Sequence, residues 1–190
     1  TSDGVQVHGG MGFIEETGAA QHFRDARITS IYEGTTGIQA MDLIGRKLAM
    51  ENGATAKALL EETKAVAGKL AGLGSDFAVF KANLEAGIVQ AGQCVDFILA
   101  RFASEPQLPA AGSVPFLKLM GILLGGWQMA RAALVAAERR ADPAADVAFY
   151  EAKLVTARFY GEHILAQTSG LAAAIIQGGE SVLALADDAF

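Results

Sequence analysis

Apolar residues recur at steps of three and four along most of this chain, the period of an amphipathic helix. The first clear element is predicted from Thr17 to Ile28, with Thr17 as its cap and Ala19, Ala20, Phe23 and Ala26 continuing it. Ile31-Tyr32-Glu33-Gly34 then breaks the pattern. A second helix is predicted from Thr36, where Thr36-Gly37-Ile38-Gln39 reads as a capping box. Its stripe is Ile38, Met41, Ile44 and Leu48, and Asn52-Gly53 closes it with a left-handed cap.

Four longer helices follow. The first spans Thr55 to Leu73 with Leu59, Leu60, Val66 and Leu70 inward. The next is capped by Ser75 and carries Phe77, Phe80, Leu84, Ile88, Val95, Ile98, Leu99 and Phe102. A loop with two prolines, Ser104 to Gly112, leads to a third helix from Ser113 to Arg140, ended by Ala141-Asp142-Pro143. The fourth runs from Asp146 to Ile176, and Gly178-Gly179 stops it. Long amphipathic helices with short connections predict an all-α fold with an up-down four-helix bundle. Gly121, Gly125 and Gly126 lie inside the third helix, where each costs about 1 kcal/mol against alanine. Close helix–helix approach is the expected compensation.

The expected division is residues 1–53 and 54–190. Thr1 to Val7 read as the tail of an element begun upstream, so the N-terminus reads as a cut edge. Residues 1–50 hold too few apolar positions for an independent core.

Composition agrees with packing: of 190 residues, 52% are hydrophobic and 19% charged. A net charge of −6 argues against a nucleic-acid partner, whose phosphates need a basic footprint. Cys94 is the single cysteine, so an intramolecular disulfide is excluded and a buried, inert thiol is expected. His8, His22 and His163 are too far apart for zinc-ligand spacing, and no metal site is predicted. Val114 to Val135 is the most hydrophobic stretch, but Lys118, Gln128 and Arg131 interrupt it. It reads as a buried helix, with no membrane span and no signal peptide, and cytoplasm is the expected compartment.

Three motifs stand in order within the first forty residues: Gln6-Val7-His8-Gly9-Gly10-Met11-Gly12-Phe13, then Phe23-Arg24-Asp25-Ala26-Arg27-Ile28, then Ile31-Tyr32-Glu33-Gly34-Thr35. In order and spacing they resemble the acyl-CoA dehydrogenase family, whose C-terminal helical domain carries a Q-x-x-G-G-x-G-[FY] turn, an R-D-[AS]-[KR]-I helix and a Y-E-G-T loop. The fold implied is the last part of that domain over residues 1–53, followed by an additional helical bundle. Gly34-Thr35-Thr36-Gly37-Ile38-Gln39-Ala40-Met41-Asp42-Leu43 and Gly45-Arg46-Lys47 resemble the longer members, similar to methylthiopropanoyl-CoA dehydrogenases.

That resemblance implies a chemistry. The family removes an α-proton and a β-hydride from a saturated acyl thioester. A weakly acidic α-proton needs a positioned base with a pKa near working pH, and a carboxylate in a closed apolar pocket meets that need. By resemblance Glu33 is the catalytic base, its own backbone N–H meets the thioester carbonyl, and Gly34 leaves room for substrate. Thr35, Thr36 and Gly37 are expected against FAD; the family usually has glutamine at the position of Gly37. Gln6, Val7, His8, Gly9 and Gly10 are expected to contact the FAD of a neighbouring subunit. Acyl-CoA is the implied substrate, electron-transfer flavoprotein the implied electron acceptor, and a homodimer or larger homo-oligomer the implied assembly.

Around these residues the plainer readings are packing for Tyr32, packing or a place beside the cofactor but no acid–base role for His8, and an ion pair between Arg24 and Asp25. The family's N-terminal helical and middle β-domains, which bind most of the flavin and the CoA, are not in this sequence, so these residues alone are expected to be inactive. The competing reading is a non-catalytic helical interaction module, which the intact Tyr32-Glu33-Gly34-Thr35 loop opposes.

Overall fold

The structure, a computed structural model, describes residues 1–189. Helices make up the fold, and no strand occurs among the described residues. The chain divides between Ala40 and Met41 into two compact units. The expected boundary after residue 53 therefore lies inside the second unit.

The first unit holds α1 (Ser2–Val7), α2 (Gly10–Phe13), a 3-10 turn (Glu15–Thr17) and α3 (Ala19–Ile28), and the division falls within α4 (Thr36–Asp42). The expected glycine turn exists, but Gly9 alone makes it, at φ 60°, and Gly10 already begins α2. Helix α3 begins two residues later than predicted. Gly18, at φ 75°, reverses the chain before it, and Thr17 Oγ1 accepts from the Ala19 N–H at 3.4 Å while donating to the Met11 carbonyl at 2.8 Å. The hydroxyl thus ties α2 to α3 and does not cap the next turn. Buried positions in this unit are small residues, among them Gly12 and Ala20.

In the second unit, a π-helical turn (Leu43–Lys47) and a 3-10 turn (Met50–Gly53) precede α5 (Ala54–Lys69). Ile44 and Leu48, from the predicted stripe, are buried, while Ile38 and Met41 are exposed. The left-handed stop is longer than expected, since Glu51 joins Asn52 and Gly53 at positive φ. A 3-10 turn (Leu70–Leu73) finishes the first bundle helix. A second one, Ser75–Phe77, replaces the expected Ser75 cap, so α6 starts at Ala78 and runs to Phe102.

The proline loop contains a helix, α7 (Gln107–Ala111), with Pro106 at its N-cap and Pro109 in its first turn. Proline fits there because first-turn N–H groups have no helical partner anyway. Helix α8 (Ser113–Arg139) matches its predicted span within one residue. By length and composition alone α8 could cross a membrane. One of its faces, with Phe116, Leu119, Leu123, Ala130 and Ala133, is buried in the bundle core.

The predicted fourth helix is not one rod. It divides into α9 (Val147–Phe159) and α10 (Thr168–Gln177), separated by a π-helical turn (Tyr160–Ile164) and a 3-10 turn (Leu165–Gln167), and α11 (Gly179–Val182) follows. Asp146 caps α9 as expected, accepting from the Phe149 N–H at 3.0 Å. The break has a packing cause. Fully buried Phe80 of α6 lies against Gly161, where an added Cβ would stand 2.1 Å from the Phe80 ring. Beside it, Asn83 Nδ2 donates to the Gly161 carbonyl at 2.9 Å.

Helices α5, α6, α8 and the α9–α10 pair form the bundle around Leu60, Leu70, Phe80, Leu84, Ile98, Phe116, Leu123, Leu165 and Ile175. Close approach holds for two of the three α8 glycines. A Cβ on Gly125 would meet the Tyr160 hydroxyl, and one on Gly126 would meet Leu165, whereas Gly121 faces open space. Cys94 is buried, and burial pushes its thiol up to about 11, as expected for an inert sulfur.

Candidate active site

The Glu33 loop is made by two helix ends. Helix α3 stops when the Ile31 and Tyr32 N–H groups both donate to the Ile28 carbonyl, at 2.9 and 3.2 Å. The chain then reverses at Glu33 (φ 56°) and Gly34 (φ 95°) before α4 begins at Thr36. Positive φ is ordinary for glycine and uncommon for a residue bearing a Cβ. Glu33 is therefore held in a sparsely populated conformation.

The side chain of Gln39 does the holding. The predicted capping box is not what forms. The Gln39 N–H donates to the Thr35 carbonyl at 3.0 Å, and its side-chain Nε2 reaches back to donate to the Glu33 carbonyl. Both threonines at the helix start can serve as caps by residue type, and the left-handed turn decides which carbonyl the amide meets. The sequence carried a signal for Gln39 as a terminus residue, but none for this partner.

Glu33 itself is exposed, as are Gly34, Thr35, Thr36 and Gly37. Gly34 packs beneath α4, with the position of a Cβ lying 3.3 Å from Ile38 Cγ2 and 3.4 Å from Gln39 Nε2. Tyr32, expected to pack, is also exposed within these residues.

The second group of predicted residues lies on the α1–α2 corner. Gln6, Val7, His8, Gly9 and Gly10 are all exposed, with Val7 at 86%. His8 Nδ1 lies 2.8 Å from the Gly4 carbonyl, which makes it part of the end of α1. A Cβ on Gly9, Gly10 or Gly37 would meet nothing within 4 Å. Backbone at these positions is open to close approach by a flat group. The residues fit a contact surface for FAD and supply no enclosing container for it.

Gln6 also lines a cavity of about 480 Å³ within the first unit, with Val5, Phe13, Phe23, Glu15 and Arg24 among its walls. Arg24 does not pair with Asp25 as expected. Its Nη2 meets Glu15 Oε2 at 2.8 Å. Adjacent helical residues face about 100° apart, so the partner comes from the turn before α3 instead. That hydrogen bond, and then the charge of Arg24, hold the Glu15 carboxyl below its ordinary value. No cluster able to hold a metal ion occurs among the described residues.

Comparison with known proteins completes the picture. A family model described as "Acyl-CoA dehydrogenase, C-terminal domain" matches residues 1–49, and one described as "Acetyl-CoA dehydrogenase C-terminal like" matches residues 49–186. The chain is 43% identical to a 3-methylmercaptopropionyl-CoA dehydrogenase of Ruegeria pomeroyi over 95% of its own length and 30% of that protein. It is 31% identical to a butyryl-CoA dehydrogenase of Syntrophomonas wolfei over 100% of its length and 31% of that protein. A short-chain specific mitochondrial acyl-CoA dehydrogenase of Sus scrofa is 50% identical over 48 residues, which are 25% of this chain and 12% of that protein. The chain thus spans under a third of the length of the relatives it matches. It belongs to the acyl-CoA dehydrogenase family and carries that family's C-terminal helical domains.

Proposed function

We propose that the intact protein is a flavin-dependent acyl-CoA dehydrogenase that forms an α,β-double bond in an acyl-CoA thioester, with Glu33 as the base. The observation that carries this reading is the Glu33 turn: a glutamate held at φ 56° between two helices, in a chain of this family. Glu33 removes the α-proton, and its backbone N–H donates to the thioester carbonyl as negative charge develops on that oxygen. Gly34, lacking a side chain, keeps the approach to that N–H clear. A bound FAD would supply the acceptor for the β-hydride. Gln6, Val7, His8, Gly9, Gly10, Thr35, Thr36 and Gly37 are the residues here that would lie against it, consistent with the open backbone at Gly9, Gly10 and Gly37.

Residues 1–190 alone are inactive on this reading, because they leave Glu33 in solvent. The exposed apolar side chains of the first unit fit a surface that other parts of the enzyme cover. Electrons leave to electron-transfer flavoprotein, and the enzyme works as a homodimer or larger homo-oligomer.

The test is Glu33→Gln in the full-length enzyme, followed by anaerobic stopped-flow bleaching of bound flavin on adding acyl-CoA. Glutamine keeps the shape and removes the basicity. Acyl-CoA binding should persist while flavin reduction falls by at least about 10²–10⁴, the usual contribution of a general base. Bleaching at the parent rate would place the base elsewhere.

A further inference from the structure

We infer that Gln39 is a positioning residue for Glu33, its side-chain amide clamping the Glu33 carbonyl so that base and backbone N–H are presented in one fixed direction. The inference rests on the reading of Glu33 as the base. Three features support it. Glu33 occupies the left-handed region, which a residue with a Cβ leaves readily unless its surroundings hold it there. The Gln39 amide bonds the Glu33 carbonyl. Because the peptide is planar and trans, holding that carbonyl against α4 restrains ψ of Glu33, and ψ with the left-handed φ sets where its Cβ and its own N–H point.

The clamp itself has a firm base. Gln39 sits in the first turn of α4, where its N–H is bonded to the Thr35 carbonyl at 3.0 Å, and its side chain is half-buried. Gly34 suits the turn by its φ of 95°, and a Cβ there would press on Ile38 Cγ2 at 3.3 Å while only touching the Gln39 amide nitrogen at 3.4 Å. Left-handed turn, missing side chain and returning amide thus form one local device, built wholly from residues 33–39. Gln39 need not touch substrate. It acts through the direction in which Glu33 points.

Gln39→Met in the full-length holoenzyme keeps the side-chain length and removes the N–H donor. Flavin reduction by acyl-CoA should fall by about 10², the scale of a 1 Å misplacement of a reacting group. Acyl-CoA affinity should stay within about threefold, since the clamp acts on orientation and not on the binding walls. Hydrogen exchange should be faster in the peptide covering residues 30–38, with FAD content and thermal midpoint unchanged. Where Gln39→Met does not accumulate as holoenzyme, Gln39→Glu gives the same length, and its carboxylate cannot donate to a carbonyl; the same losses are expected. Reduction at the parent rate, unchanged exchange, or a rate loss that merely follows FAD content would overturn the inference. A parent rate in Gln39 variants with an inactive Glu33→Gln sinks the clamp alone, whereas a parent rate in Glu33→Gln sinks the reading of the base.

Discussion

The contact between Gly126 and Leu165 allows the bundle packing to be tested by sign as well as size. Gly126 lies within α8, and a Cβ added there would stand 2.7 Å and 2.9 Å from the two methyls of Leu165 and 3.0 Å from its Cγ. Leu165 has no solvent exposure, and a close-packed interior gives its side chain little room to move aside. Gly126→Ala therefore overpacks the core, at about 1–3 kcal/mol, and recovers about 1 kcal/mol of helix propensity. The net is a cost of about 0–2 kcal/mol. Leu165→Ala leaves a cavity and costs about 2–5 kcal/mol. In the Leu165→Ala background the three crowding atoms are gone. Gly126→Ala then keeps its propensity gain and buries a methyl worth about 0.8 kcal/mol, so its effect turns from destabilising to stabilising. The expected coupling is about 2–4 kcal/mol. Urea unfolding followed by Trp127 fluorescence is suited to the measurement, since Trp127 is the only tryptophan and adjoins Gly126 in α8. If Gly126→Ala has the same effect in both backgrounds, to within about 0.5 kcal/mol, the two residues are not in the contact described.

Three further outcomes are expected. The Cys94 thiol should react with a disulfide reagent at pH 8 far more slowly in the folded chain than in urea; equal rates would mean the sulfur is accessible. Its raised folded value also sets a pH direction: the fold retains a proton that the unfolded chain, near 9.0, has begun to lose. The stability this provides is complete below about 9 and is lost as pH rises towards about 11, which an alkaline unfolding series on Cys94→Ala against the parent would reveal. In the first unit, amides of residues 1–40 should exchange faster than those of α6 and α8 when residues 1–190 are studied alone, and equal protection would contradict the lack of an internal core.

Where the sequence was legible, the cause of the structure was local. The span of α8 follows from an apolar run that begins before Pro115, tolerated in the first turn, and ends at Ala141-Asp142-Pro143. Asp146 caps α9 because an aspartate before a helix can reach the N–H three residues on. The illegible parts were set by distant or competing partners. Nothing between residues 146 and 176 announces the break at Tyr160–Gln167, because Phe80 and Asn83, some eighty positions earlier, are what meet Gly161. Arg24 has Asp25 beside it in sequence, yet Glu15 beside it in space. Gln39 was legible as a helix-start residue, while its partner depended on a left-handed Glu33 that no single-residue preference foretells.

The same contrast explains why the candidate site is held as it is. Active-site geometry is most often kept by burial, with side chains locked among packed neighbours. The first unit offers little of that: its buried positions are small, while Phe13 at 82% and Ile38 at 63% are exposed. A left-handed glutamate held there by packing alone would have no packing to rely on. Hydrogen bonds within a few residues are the remaining means, and the loop uses them at both ends: the Ile28 carbonyl closes α3 before the turn, and the Gln39 amide secures the Glu33 carbonyl after it. Backbone direction at Glu33 is thereby set by residues 28–39. On the proposed reading of Glu33 as the base, its apolar walls would come from outside residues 28–39. On that reading, substitution of Gln39 is expected to alter the orientation of Glu33 and to leave acyl-chain preference as it is.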